Sequence, residues 1–96
     1  MIYTVTFRPS ARRDLHRLPA DIGTRITVRV NALADDPRPR GALPLRGPLK
    51  GLYRLRVGDY RVAYEVDDEV PLVRVWTIGH RRDFYDVLSR TWGPQQ

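Results

Sequence analysis

The 96-residue chain contains no cysteine, so it can form neither a disulfide bond nor a thiolate zinc site. Its two histidines, His16 and His80, are too few for a histidine-rich metal centre, and we expect chemistry without a metal or other cofactor. No apolar run is long enough to cross a bilayer. The first five residues have the pattern of a strand rather than of a signal peptide. These absences predict a small cytoplasmic protein with one modest core.

Lysine is also nearly absent. The chain has 17 basic and 11 acidic residues, a net charge of +6, and every basic residue except Lys50 is arginine. Arginine carries a planar guanidinium that binds phosphate or carboxylate in a bidentate manner, whereas lysine would serve equally well for solubility. A GC-rich genome is an alternative explanation for the ratio, but it does not explain where the arginines lie along the chain.

Hydrophobic periodicity predicts the element order β-α-α-β-β-β with a short C-terminal helix, which is an α+β fold. We expect the first two helices to form a hairpin that packs on one face of an antiparallel sheet. Ser10 and Asp21 are the predicted N-caps of these helices. The stretch 37–51 is rich in proline and glycine and is predicted to be a loop. The predicted strands are 3–7, 52–57, 60–66 and 72–80, and the predicted helices are 10–18, 21–36 and 83–89.

The dipeptide Gly58-Asp59 predicts a two-residue turn, which sets the register of the hairpin around it. In that register Arg56 lies opposite Arg61, and strand alternation places Arg54 on the same face as both. Two arginines directly opposite each other destabilise a sheet by a few tenths of a kcal/mol. An anion held between them would convert this repulsion into binding. The alternative is a solvated face with counterions or with ion pairs. The carboxylates available for such pairs are Glu65 and Asp83.

The predicted basic patch extends to both sides of this hairpin. The preceding loop contributes Arg38, Arg40, Arg46 and Lys50, and the last strand is followed by Arg81, Arg82, Phe84 and Tyr85. Cations beside aromatic rings match the needs of single-stranded nucleic acid, because the charges bind phosphates and the rings stack on bases. Phe84 is expected to anchor the last helix in the core. For Tyr85 both a core role and an RNA-facing role stay open.

Four segments resemble the RelE/ParE superfamily of toxins from type II toxin–antitoxin pairs. They are SARRDLHRLP at 10–19, PLRG at 44–47, GDYRVAY at 58–64 and IGHRRDFY at 78–85. The resemblance implies the RelE-like fold over residues 1–90, with residues 91–96 as a flexible tail. It also implies a cognate antitoxin that wraps the toxin and masks its site. RelE-like members cut mRNA in the ribosomal A site without a metal, whereas ParE-like members poison DNA gyrase.

The resemblance favours the RelE-like branch, and so a ribosome-dependent mRNA endonuclease that inhibits translation. The implied partners are the antitoxin, the ribosome and mRNA, with operator DNA bound only through the antitoxin and no membrane contact. Two alternatives stay open: a gyrase inhibitor without nuclease chemistry, and a weakly catalytic regulator bound to its antitoxin. The predicted catalytic residues are Arg54, Arg56, Arg61, Arg81, Tyr85 and His80. The predicted RNA-binding residues are Arg38, Arg40, Arg46, Lys50 and Arg82.

Proton transfer is the weak point of this expected site. Guanidinium groups stay protonated at any working pH and are poor proton acceptors. His80 has an ordinary pKa that suits proton transfer, but strand alternation places it on the face opposite Arg81, and a structural role is its alternative. The net charge further predicts that the toxin-binding segment of the antitoxin is acidic and amphipathic.

Overall fold

The structure, a computed structural model, describes residues 2–92 and has the predicted α+β architecture. No helix in that part of the chain is both long and apolar enough to cross a membrane. The strands are β1 Thr4–Phe7, β2 Ala42–Pro44, β3 Tyr53–Val57, β4 Tyr60–Asp67 and β5 Leu72–His80. The helices are α1 Pro9–His16, α2 Ala20–Asn31 and α3 Phe84–Thr91, and short 3₁₀ turns span Ala32–Ala34 and Gly47–Leu49.

The five strands form one sheet in the order β1-β5-β4-β3-β2. The three pairs from β2 to β5 are antiparallel, but β1 runs parallel to β5, so the expectation of a wholly antiparallel sheet was wrong at this edge. No hairpin joins β1 to its neighbour: the chain leaves β1 through two helices and returns to it only with β5. Its direction is therefore set by packing and not by a tight turn.

Strand β2 lies inside the segment that the sequence predicted to be a loop. Its three residues pair with Tyr53–Leu55 at the open edge of the sheet. Pro44 is tolerated there, because an edge strand need not donate every backbone N–H to a neighbour. The density of proline and glycine in this segment concealed a strand that is only three residues long.

Helices α1 and α2 cover one face of the sheet and form the main core with it. Ala11 of α1 and Ile26 and Val30 of α2 are fully buried against apolar residues of β3, β4 and β5. Helix α3 lies on the opposite face, where Phe84 and Leu88 are fully buried in a second, smaller cluster. Val62 and Ala63, adjacent on β4, belong to the two different clusters. The sheet is therefore sandwiched, and within the described part of the chain α3 and the turn that contains Leu49 cover part of its second face.

The helix starts differ from the predicted caps. Helix α1 begins at Pro9 with Arg8 as N-cap, so Ser10 lies inside the helix. Proline is favoured at the first helical position, because its fixed φ suits the helix and its missing N–H would have no partner there. Helix α2 begins at Ala20 after Pro19, and Asp21 lies in its first turn, where a carboxylate still favours the helix dipole.

The C-terminal helix extends further than the sequence indicated. It runs to Thr91, and the indole of Trp92 packs edge-to-face on Trp76 with ring centroids 4.8 Å apart. A Cβ atom at Gly51 would lie only 3.0 Å from the Trp92 ring, so glycine there admits the indole. Trp92 thus closes the second cluster. The rest of the predicted tail, residues 93–96, lies outside the described residues.

Candidate nucleic-acid interface

The β3–β4 hairpin has the register that the Gly58-Asp59 turn predicted. Arg56 pairs with Arg61 and Val57 pairs with Tyr60. Gly58 has φ +59°, a left-handed conformation that glycine adopts without strain at the first central position of a hairpin turn. The arginines therefore share one face of the sheet, while Leu55, Val57 and Val62 enter the core beneath α1 and α2.

Arg61 is the centre of this basic face. One of its terminal nitrogens donates hydrogen bonds to the carbonyl oxygens of Gly58, at 2.9 Å, and Tyr60, at 3.0 Å. Partial burial and then the nearby positive charges of Arg56, Arg54 and Arg81 lower the pKa of Arg61, and Tyr85 partly offsets that shift. Arg56 is the cross-strand partner of Arg61, and Arg54 lies two residues before Arg56 on the same face. We call Arg54, Arg56, Arg61 and Arg81 the arginine cluster.

Arg54 brings an unsatisfied donor to the cluster. Its Nε atom is buried and has no hydrogen-bond partner among residues 2–92. A buried N–H without an acceptor costs about 1–3 kcal/mol, so Arg54 is kept on this face at a cost in stability. The carboxylates that could have neutralised the hairpin are engaged elsewhere or exposed. Glu65 accepts hydrogen bonds from Arg74 at 2.7 Å and Trp76 at 2.8 Å.

Arg81 reaches the cluster because the segment after β5 is bound to the hairpin turn. Its backbone N–H donates to the carbonyl oxygen of Asp59 at 2.8 Å, and its Nε lies 3.7 Å from the Asp59 carboxylate. Both side chains are more than half exposed, at 56% and 71%. The contact with Asp59 is absent from the sequence-based prediction. Only the register between the turn and the end of β5 reveals it.

Tyr85 provides an aromatic ring beside the cluster. It lies in the first turn of α3 and is 41% exposed, whereas the neighbouring Phe84 is fully buried. The two rings pack edge-to-face with centroids 4.9 Å apart. Phe84 is therefore the core anchor that the sequence predicted, and it holds Tyr85 at the surface next to Arg61.

His80 lies away from the cluster. It pairs with Tyr60 across β4 and β5, so both side chains project from the face opposite Arg61. Its ring packs edge-to-face on Tyr60 at 5.4 Å, and its Nδ1 accepts a hydrogen bond from the backbone N–H of Arg82 at 3.2 Å. These contacts hold the imidazole at the end of β5, on the face opposite Arg61, and the catalytic role of His80 stays a prediction.

Arg38 is likewise removed from the candidate interface. It forms an ion pair of 2.8 Å with Asp68, in the turn between β4 and β5, and donates a hydrogen bond of 2.9 Å to the Tyr53 hydroxyl. Asp68 also accepts a hydrogen bond from the Tyr3 hydroxyl, and these bonds from Arg38 and Tyr3 lower the pKa of its carboxyl. These contacts tie the loop to the end of the hairpin remote from Gly58, and a role of Arg38 in binding RNA stays a prediction.

The other predicted RNA contacts are exposed. Arg46 and Lys50 flank the 3₁₀ turn Gly47–Leu49, whose Leu49 packs with the second cluster under α3. Arg82 follows Arg81, and Arg40 lies in the loop before β2. Arg46 and Lys50 therefore adjoin the face that carries the arginine cluster. No group of three or more His, Asp or Glu side chains able to hold a metal ion occurs within the described residues.

Comparison with known proteins identifies the family. Residues 5–85 match the model of the ParE toxin of type II toxin–antitoxin systems. The chain is 41% identical over 86 residues to Toxin RelG of Mycobacterium tuberculosis, an alignment that covers 88% of this chain and 98% of that toxin.

Solved structures agree with this match. A chain of the toxin–antitoxin complex RelBE2 from M. tuberculosis aligns with a TM-score of 0.77 and 39% identity, over 84% of this chain and all of that one. A chain of the archaeal RelE–RelB complex from Pyrococcus horikoshii aligns with a TM-score of 0.74 and 30% identity, over 84% and 97%. The protein therefore belongs to the RelE/ParE superfamily of toxins from type II toxin–antitoxin systems.

Proposed function

We propose that this toxin inhibits translation by cutting mRNA on the ribosome and that a cognate antitoxin neutralises it. The observation that carries the proposal is the arginine cluster, in which three guanidinium groups surround Arg61 on an open part of the sheet beside Tyr85. Like charges gathered at a cost in stability favour a polyanionic substrate. The exposed Tyr85 ring supplies the stacking surface for an unpaired base.

The cluster suits one step of RNA cleavage in particular. When the 2′-hydroxyl attacks the neighbouring phosphate, negative charge develops on the equatorial oxygens of a pentacovalent phosphorus. Arg61 is held in place by two carbonyls, so it meets that charge without reorganising, and Arg54 adds a second positive charge on the same face. Preorganised donors of this kind are worth about 10²- to 10³-fold in rate for each donor.

We assign proton transfer to groups other than the arginine side chains. They remain protonated at neutral pH, and His80 projects from the other face of the sheet. The proton of the 2′-hydroxyl then passes to a group of the ribosomal complex, and the leaving 5′-oxygen is protonated in the same assembly. Because the toxin stabilises the charge and the ribosomal complex transfers the protons, cleavage would depend on the ribosome.

The antitoxin is the second proposed partner. Two of the similar solved structures are complexes of a RelE chain with RelB, and we extend that pairing to this toxin as a hetero-oligomer. A net charge of +6 favours an acidic, amphipathic antitoxin segment, because opposite charge speeds association and an apolar stripe supplies buried area. Operator DNA would be bound through the antitoxin, since the basic face of the toxin is covered or engaged in the complex.

A gyrase-directed toxin is the second candidate, because the matching family model is that of ParE. Inhibition of gyrase needs a protein-binding surface and no chemistry at a phosphate. The convergence of four arginines on one face, with an unsatisfied Nε among them, is better explained by a bound phosphate. We therefore rank mRNA cleavage first.

A single induction experiment separates these functions. We expect that brief expression of the toxin produces new mRNA 5′ ends in phase with codons and leaves plasmid supercoiling unchanged. The double variant Arg61→Ala/Arg81→Ala should yield neither new ends nor growth arrest, whereas Arg29→Ala, an exposed arginine on α2, should behave as wild type. Intact mRNA together with relaxed plasmid DNA would instead support the gyrase-directed function. A toxin without any effect on growth would support the third alternative, a weakly catalytic regulator bound to its antitoxin.

A further inference from the structure

The Gly58–Tyr60 turn holds two members of the arginine cluster at once. The carbonyl oxygens of Gly58 and Tyr60 accept hydrogen bonds from the Arg61 guanidinium, and the carbonyl oxygen of Asp59 accepts one from the Arg81 backbone. Three consecutive carbonyls of one tight turn therefore fix residues that lie twenty positions apart in sequence.

The Asp59 carboxylate adds an ion pair with Arg81 to these backbone hydrogen bonds. The Asp59 Oδ1 atom lies 3.7 Å from the Arg81 Nε atom. Among the described residues, Asp59 is the acidic residue that forms an ion pair with the arginine cluster. Arg81 follows the last residue of β5, and its hydrogen bond to the Asp59 carbonyl fixes its backbone but not its side chain. Its long side chain has many rotamers in solvent, and the carboxylate selects those that keep the guanidinium beside the turn.

The charge of Asp59 works against binding of RNA. A carboxylate at the edge of a phosphate-binding face repels the phosphates, so a sequence selected for affinity alone would have asparagine or glycine at this turn position. An exposed ion pair also contributes at most about 1 kcal/mol to folding stability. Turn formation favours aspartate and asparagine alike, so neither the turn, nor affinity, nor stability accounts for the negative charge, whereas the orientation of Arg81 does.

We propose that Asp59 is a positioning residue, which aims the Arg81 guanidinium at the reacting phosphate. The proposal rests on the proposed mRNA cleavage. An arginine held in its productive orientation gives full stabilisation of the transition state, while a mobile one first has to be ordered. The ion pair also reduces the repulsion between Arg81 and Arg61, whose pKa is lowered first by partial burial and then by the neighbouring arginines, Arg81 among them.

The test uses purified toxin and ribosomes carrying a defined mRNA. Asp59→Asn keeps a residue that suits the turn but removes the charge. We expect its maximal cleavage rate to fall by about three- to tenfold, while the ribosome concentration for half-maximal rate stays equal or falls. Asp59→Glu should restore part of the rate. In an Arg81→Ala background, Asp59→Asn should cause no further loss, because the group that it positions is gone.

Two results would overturn the proposal. One is a wild-type cleavage rate for Asp59→Asn, and the other is an equal loss of rate with and without Arg81. A readout independent of cleavage is the NMR order parameter of the Arg81 Nε–H group, which should fall in Asp59→Asn while the melting temperature is unchanged. If wild-type toxin cuts no mRNA yet this order depends on Asp59, the proposed function fails and the positioning contact stands. An Arg81 that is equally ordered in both proteins refutes the contact itself.

Discussion

Replacing Arg61 with alanine is expected to slow cleavage of ribosome-bound mRNA by about 10²- to 10³-fold. Arg61 is the member of the cluster that the turn carbonyls hold, and Arg54, Arg56 and Arg81 all lie within electrostatic range of it. Its loss removes a preorganised charge at the reacting phosphate. The measurement is the single-turnover rate of cleavage at saturating ribosome concentration.

The same substitution should leave the fold intact. Removing one of two opposed arginines relieves their repulsion across β3 and β4, so the free energy of unfolding should stay constant or rise by a few tenths of a kcal/mol. Arg61→Lys is expected to retain part of the activity, since it keeps the charge and loses the planar fork. The control Arg29→Ala removes an equal charge from α2. A similar slowing by Arg29→Ala would show that net charge, and not the cluster, supports cleavage.

Replacing Phe84 with alanine is expected to have the largest effect on stability, about 3–5 kcal/mol of unfolding free energy. Phe84 is fully buried with Leu52, Ala63 and Leu88, and this small cluster joins α3 to the sheet. The cavity left by the missing ring would persist, because this small cluster has few side chains that could move into it. For a domain of this size, such a loss is a large fraction of the total stability.

Urea unfolding of the purified toxin measures this loss directly. Val28→Ala is a suitable control, because Val28 is 64% exposed on α2 and its truncation should change the free energy by less than about 0.5 kcal/mol. We also expect Phe84→Ala to release Tyr85 from its place beside Arg61, so cleavage should weaken even where the variant stays folded. A loss of stability below about 1 kcal/mol would mean that α3 is not anchored through Phe84.

The predictable parts of this fold are those that depend on neighbouring residues. The Gly58-Asp59 turn fixed the hairpin register, and that register alone placed Arg56 opposite Arg61. The parallel pairing of β1 and the position of α3 on the second face depend on contacts distant in sequence, which periodicity does not encode. Strand β2 was missed because three edge residues among prolines carry too little pattern.

The candidate site shows the same division. Alternation correctly separated His80 from the arginines, yet it gave no sign that Arg38 is paired with Asp68, thirty residues away. Nor did it show that Asp59 contacts Arg81. A count of charges along the chain identifies how many cations exist, but tertiary structure decides which are free to bind phosphate.

The central claim is that the arginine cluster stabilises attack of an mRNA 2′-hydroxyl on its own phosphate. The most direct measurement compares two ribosome-bound mRNAs that differ only in a 2′-deoxy substitution on the 5′ side of the cut phosphate. We predict that wild-type toxin cuts the unmodified mRNA to a fragment with a 5′-hydroxyl end and leaves the deoxy mRNA intact. Equal cleavage of both mRNAs, or cleavage of neither, would contradict the account.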